Sequence, residues 1–172
     1  MNNSHGEFVG YYHEFKDRLF TYLMIRVNFN REQAEDLLMD VILKAYQHFK
    51  SFDPKKGSFK TWIFTLTHNH LVNYWRDERR HKTDSLEQLE ENGFVSSVAP
   101  EDTASPRIEN ENIQQALSLM NNSEREVISL RYFEDLGFKE IAKILEKNEG
   151  AVRTELSRAL KHFSEIYKKL FP

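Results

Sequence analysis

The chain has 172 residues, of which 30% are charged and 40% hydrophobic; its formal net charge is −3 and it contains no cysteine. That length allows one domain or two small ones, and the missing cysteines exclude disulfides, zinc–thiolate centres and thiol catalysis. The start, MNNSHGEFVG, lacks a basic flank followed by an apolar core, and no apolar run is long enough to span a bilayer, so neither a signal peptide nor a membrane segment is expected and a cytoplasmic protein is the default.

Glycine and proline are scarce and β-branched alternation is absent, so the chain reads as all-α. Phe8, Tyr11, Tyr12, Phe15, Leu19, Tyr22 and Leu23 form a first helical stripe. A second helix is predicted over 31–49, with Ala34, Leu38, Val41, Ile42, Ala45 and Phe49 facing inward. Pro54 and Gly57 break the pattern at 53–57. A third helix over 59–80 is apolar on more than one side (Trp62, Ile63, Phe64, Leu66, Leu71, Tyr74, Trp75) and must pack against several neighbours, with Trp62 in the core. Residues 5–81 are therefore expected to form one small helical domain.

From 82 to 107 the periodicity fades into Ser, Glu, Pro and Asn, a composition that cannot bury enough apolar area to offset chain entropy. This segment is expected to be a flexible acidic linker with a short helical turn at 86–89, leaving the two domains independent. The acidity is concentrated there. Residues 1–81 carry 12 Lys/Arg against 10 Asp/Glu, residues 82–110 carry 2 against 7, and residues 111–172 balance at 10 against 10. Both flanking blocks are free to gather their cations on one face.

The second block, 108–172, opens with a predicted helix over 108–120. Ser123 and Glu126 then match a capping box leading into Val127, Ile128 and Leu130. A helix-turn-helix follows. Ile141, Ala142 and Leu145 give a short helix its apolar face; Val152, Leu156, Ala159, Leu160 and Phe163 do the same for a longer one after a break at 146–148, with Asn148 as its cap. The other face of the second helix carries Arg153, Thr154, Ser157, Arg158 and Lys161. Small polar and cationic groups on an exposed face suit a major groove and its flanking phosphates, although an ordinary amphipathic hairpin shows the same pattern.

Enzyme chemistry is poorly supported. His68 and His70 are two apart and point in different directions on a helix, whereas helical metal pairs need a spacing near one turn. No phosphate-cradling glycine loop and no Ser/His/Asp set is recognisable, so no metal, cofactor or catalytic residue is expected.

Two blocks in this order resemble the extracytoplasmic-function (ECF) sigma factors, the promoter-recognition subunits of bacterial RNA polymerase. The resemblance rests on Ala34-Glu35-Asp36-Leu37, Lys44-Ala45, Gly57-Ser58-Phe59, Thr61-Trp62-Ile63, Asn69, Asn73 and Arg76 for the family's region 2. For region 4 it rests on SEREVISLRYFEDLGFKEIAKIL and GAVRTELSRAL. It implies an alternative sigma factor that binds core polymerase and directs promoter-specific initiation, with control by an anti-sigma factor. Asp36, Leu37, Asp40 and Leu43 would dock on the clamp helices of the largest polymerase subunit. Phe52, Lys55, Lys56, Lys60, Asn69, Asn73, Arg76 and Arg80 would handle the −10 element, where strand opening needs a pocket for an unstacked base and cations for the displaced backbone. Glu149, Gly150, Arg153, Thr154, Ser157 and Arg158 would read the −35 element.

The sequence departs from the family at Glu146, where the turn often has glycine, at Glu155, where arginine is common, and at Ala151 and Gly137, where threonine and a serine cap are frequent. Glu155 must either point away from phosphate or accept from a cytosine amino group. A rival reading is a self-standing helix-turn-helix regulator whose first block is a sensor or dimerisation domain. A purely adhesive module is a third. A regulator's sensor would have a ligand cavity or dimer seam and no reason to carry an acidic docking face and the Gly-Ser-Phe and Thr-Trp motifs.

Overall fold

The computed structural model describes residues 4–85 and 110–172; the expected turn at 86–89 and nearly all of the expected linker lie outside the described residues. Within them every regular element is helical. Block one comprises α1 (Ser4–Arg26), α2 (Arg31–His48), a 3-10 turn (Phe49–Ser51) and α3 (Phe59–Ser85). Block two comprises α4 (Glu111–Ser118), α5 (Asn122–Ile128), which runs on through a π turn (Ser129–Phe133), α6 (Phe138–Ile144) and α7 (Glu149–Leu170).

Local chemistry sets these boundaries. The Asn30 side chain accepts from the Gln33 N–H to start α2, and Asn148 accepts from the Ala151 N–H to start α7. The fourth helix starts at Glu111 rather than 108, capped by Asn110. The capping box of α5 lies two residues before the one expected, with Asn121 as cap and Glu124 closing the box. The Ser123 alternative would need Glu126, and that carboxylate is engaged elsewhere. One continuous apolar core runs through both blocks, from Leu19, Leu23, Val41, Ile63, Phe64 and Leu71 in the first to Leu117, Leu130, Leu136, Ile141, Ile144 and Val152 in the second, all essentially inaccessible. Each such side chain contributes about 1.5–3 kcal/mol through burial. Trp62 is only half-buried, at the edge of an aromatic cluster with Phe52 and Phe59 (ring centroids 5.5 and 5.3 Å away).

The two blocks were expected to be independent, but in the structure they are packed together, the shared apolar core being flanked by a seam of buried polar and charged side chains. Glu126 lies at its centre, accepting from the Tyr22 hydroxyl (2.7 Å), lying 2.7 Å from His68 Nδ1 and pairing with Arg26 at 3.2 Å. Burial alone would raise the pKa of Glu126, but the His68 hydrogen bond and the Arg26 charge outweigh it and hold the carboxyl below its ordinary range. Burial, with Glu126 alongside, pushes the Tyr22 hydroxyl well above its ordinary value. Arg26 also bonds the Asn122 carbonyl and lies over the Trp75 ring. Arg125 donates to Asn28, and burial, helped by nearby Arg26, lowers its pKa to about 10. At the seam's edge, Arg18 donates to both the carboxylate and the carbonyl of Glu134, at 2.8 and 2.9 Å.

Candidate functional site

The solvent face of α2 is the first candidate surface. Met39, Leu43 and Tyr46 are 70%, 57% and 50% exposed, and they recur at four and three residues, so they form one stripe. Asp36 and Asp40 are exposed beside it. Asp40 lies 3.6 Å from His70 Nε2, while Lys44 meets His70 Nδ1 at 2.7 Å; burial and that lysine lower the His70 pKa. One expected docking residue does not belong here. Leu37 is 2% exposed because it shares the inward face with Ala34, Val41 and Ala45, so it is a core residue. Met39 and Tyr46 were missed, although their spacing with Leu43, opposite the Ala34 and Val41 face, was readable in the sequence.

The second surface combines the loop at 52–58 with one side of α3. Lys55, Lys56, Asn69, Asn73, Arg76 and Arg80 are exposed, and the last four recur at spacings of four, three and four, which lines them along one face. Arg76 donates to Asn73 at 2.8 Å. Phe52 is half-buried against Phe49, Phe59 and Trp62, so its ring is partly committed to packing. Tyr74 and Trp75 are also engaged, by Gln33 and Arg26 respectively. Lys60 is directed towards block two: its amine reaches the Asp135 carbonyl at 3.5 Å, and burial, then Arg18, lowers its pKa. His68 and His70 go to different partners, Glu126 and the Lys44 and Asp40 pair.

The third surface is the outer face of α7. Val152, Leu156 and Ala159 are buried, while Glu149, Gly150, Arg153, Thr154, Ser157 and Arg158 are exposed. The Arg153 guanidinium sits 4.0 Å from the Phe138 ring centroid and 3.8 Å from the Glu149 carboxylate. It is thus held at the leading end of the helix. Glu155 points into its own block: Lys147 pairs with it at 2.6 Å and the Ser123 hydroxyl donates to it. It therefore ties the turn and the α5 start to α7.

Glu146 explains its own departure. Its φ is 53°, and the N–H groups of Glu146 and Lys147 return to the carbonyls of Lys143 and Ala142, the Schellman pattern that usually ends in glycine. A side chain at positive φ costs on the order of 1 kcal/mol. Glu146→Gly should therefore raise the thermal stability of block two by about 1 kcal/mol or slightly less, measured by calorimetry. An unchanged or lower melting temperature would contradict this account of the turn.

Comparison with known proteins adds sequence-wide relations. A family model described as Sigma-70 region 2 matches residues 12–81, and one described as Sigma-70, region 4 matches residues 110–163. The chain is 28% identical over 148 residues to the RNA polymerase sigma factor YlaC of Bacillus subtilis, covering 86% of this chain and 84% of that protein. It is 27% identical over 156 residues to the ECF RNA polymerase sigma factor BldN of Streptomyces coelicolor, covering 90% of this chain but only 58% of BldN. Its fold is similar to that of the sigma factor RpoE in its complex with the anti-sigma factor NepR from Bartonella quintana. The TM-score there is 0.79 at 23% identity, covering 94% of this chain and 97% of that one.

Proposed function

The chain belongs to the ECF sigma factors of bacterial RNA polymerase, alternative sigma factors that bind core polymerase and direct promoter-specific initiation, and on that premise we propose which surfaces do each task. Residues 5–81 act as the region 2 domain, 82–107 as the connection and 108–172 as the region 4 domain. The α2 stripe of Met39, Leu43 and Tyr46, flanked by Asp36 and Asp40, docks on the polymerase clamp helices. The loop at 52–58 and the Asn69, Asn73, Arg76 and Arg80 face of α3 handle the −10 element. The Glu149, Gly150, Arg153, Thr154, Ser157 and Arg158 face of α7 reads the −35 element. Glu155 stays outside that set, because its carboxylate is turned to Lys147 and Ser123.

One observation carries the docking assignment: three large apolar side chains stand exposed in a row on α2, Tyr46 with one side of its ring against Phe8 and the other open. A contiguous apolar patch of this kind, edged by carboxylates, fits an apolar, basic partner surface. The double variant Asp36→Lys with Asp40→Lys should weaken core-polymerase binding by on the order of 2 kcal/mol or more, with helicity unchanged. Fluorescence titration against core enzyme measures it, and wild-type affinity would remove this face from the assignment.

The role is regulatory rather than catalytic: the chemistry belongs to the polymerase. Action in the cytoplasm follows from the polymerase partner; among the described residues no helix is long and apolar enough to cross a membrane. The sigma factor RpoE of Bartonella quintana forms a complex with an anti-sigma factor. We extend to this chain a protein inhibitor of that class as a partner.

A further inference from the structure

The two arginines on the exposed face of α7 are held differently. The Arg153 guanidinium lies over the Phe138 ring, 4.0 Å from its centroid, and 3.8 Å from the Glu149 carboxylate. Arg158 is exposed on the same face, and among the described residues no ring or carboxylate lies against it. The Glu149 pair is long and exposed, so salt screens it and it contributes little. The ring is the stronger restraint, because its quadrupole attracts a guanidinium, a weakly hydrated cation, over its face.

Phe138 is itself pinned. It is the first residue of α6, directly after the Gly137 cap, whose N–H donates to the Glu140 carboxylate at 2.9 Å. Its ring is half-buried and packs against the apolar core. A second guanidinium, that of Arg131, lies 5.2 Å from the same centroid, and Arg131 donates to the Leu136 carbonyl at 3.0 Å. The platform thus belongs to the first helix of the helix-turn-helix, and the cation it carries belongs to the second. Stacking occupies the face of the guanidinium and leaves the N–H donors, which radiate from its edge, free to meet a base. An unrestrained arginine gives up rotamer freedom when it binds, which costs affinity; one already stacked has given much of it up.

We propose that Phe138 is a specificity-determining positioning residue: its ring sets the plane of the Arg153 guanidinium, so that the N–H edge meets one base of the −35 element in one orientation. The inference rests on the assignment of the α7 face to that element. Phe138 need not touch DNA for this. Discrimination follows because a guanidinium fixed in its plane satisfies one donor–acceptor pattern of the major groove, whereas a mobile one adapts to several.

Holoenzyme reconstituted with the full-length chain tests this on promoters randomised over the −35 element, with those recovered in open complexes sequenced to give the base preference at each position. Phe138→Leu keeps the apolar bulk but removes the aromatic face. It should lower preference at a single position by about threefold or more, the same position that Arg153→Ala flattens. The position flattened by Arg158→Ala should stay as in wild type. Phe138→Tyr should keep the wild-type preference, and Phe138→Leu should add nothing to Arg153→Ala, since side chains in contact act as a unit. A Phe138→Leu profile that matches wild type, or one flattened equally at every position, overturns the proposal. The unbound wild-type protein supplies a check that holds even if Phe138→Leu unfolds block two. By NMR relaxation the Arg153 Nε–H should be more ordered than that of Arg158, and equal mobility overturns the proposal as well. Failure of the −35 assignment shows differently: Arg153→Ala would leave every −35 preference unchanged, while Arg153 remained the more ordered arginine in the wild type.

Discussion

Leu156→Asp should unfold block two and leave block one folded. Leu156 is 5% exposed and sits between Val152 and Ala159 on the buried face of α7. A carboxylate there would stand in the apolar core, so it must be protonated or dragged into water, at a cost above about 4 kcal/mol. At roughly 0.05–0.15 kcal/mol per residue, a block of about 60 residues has only some 3–9 kcal/mol to lose. Circular dichroism should show the loss of a large part of the helical signal, and core-polymerase binding through α2 should survive. Alanine at Arg153 and Arg158 should do the reverse. Both are exposed, so stability is kept while −35-dependent transcription falls; a base contact is worth about 1–3 kcal/mol and a phosphate contact lowers the salt slope. A folded Leu156→Asp block, or arginine variants with unchanged promoter choice and salt dependence, would remove α7 as the reading helix.

Leu37→Ala and Leu43→Ala should separate stability from binding within one helix. Leu37 fills the centre of block one, so its truncation should cost about 2–5 kcal/mol in denaturant unfolding. Leu43 is mostly exposed; its truncation should change stability by less than about 0.5 kcal/mol yet weaken polymerase binding. Equal stability losses at the two positions would mean that the inward and outward faces of α2 have been wrongly divided.

That contrast also shows how far the sequence could be read. Helix spans, the loop at 53–57, the Asn148 cap and the buried face of α7 all follow from local periodicity and capping, which neighbouring residues specify. Leu37 was equally legible, since Ala34, Leu37, Val41 and Ala45 repeat every three to four residues, but the family motif containing it drew it to the surface. The capping box was ambiguous for a concrete reason: Asn121 with Glu124 and Ser123 with Glu126 both satisfy the pattern. Only the tertiary demand on Glu126 decides between them. The seam itself was not legible. Arg26, His68 and Glu126 each look like solvated charges on amphipathic helices, and nothing local says that they meet.

Tyr22 and Glu126 are 104 positions apart, and Arg18 and Glu134 are separated by 116. Ribosomes add about 5–20 residues per second, and N-terminal domains fold as units while the rest is still being made. Block one therefore spends several seconds folded on its own before the carboxylate at the centre of the seam has been translated. The blocks of a newly made molecule can meet only after the first has folded.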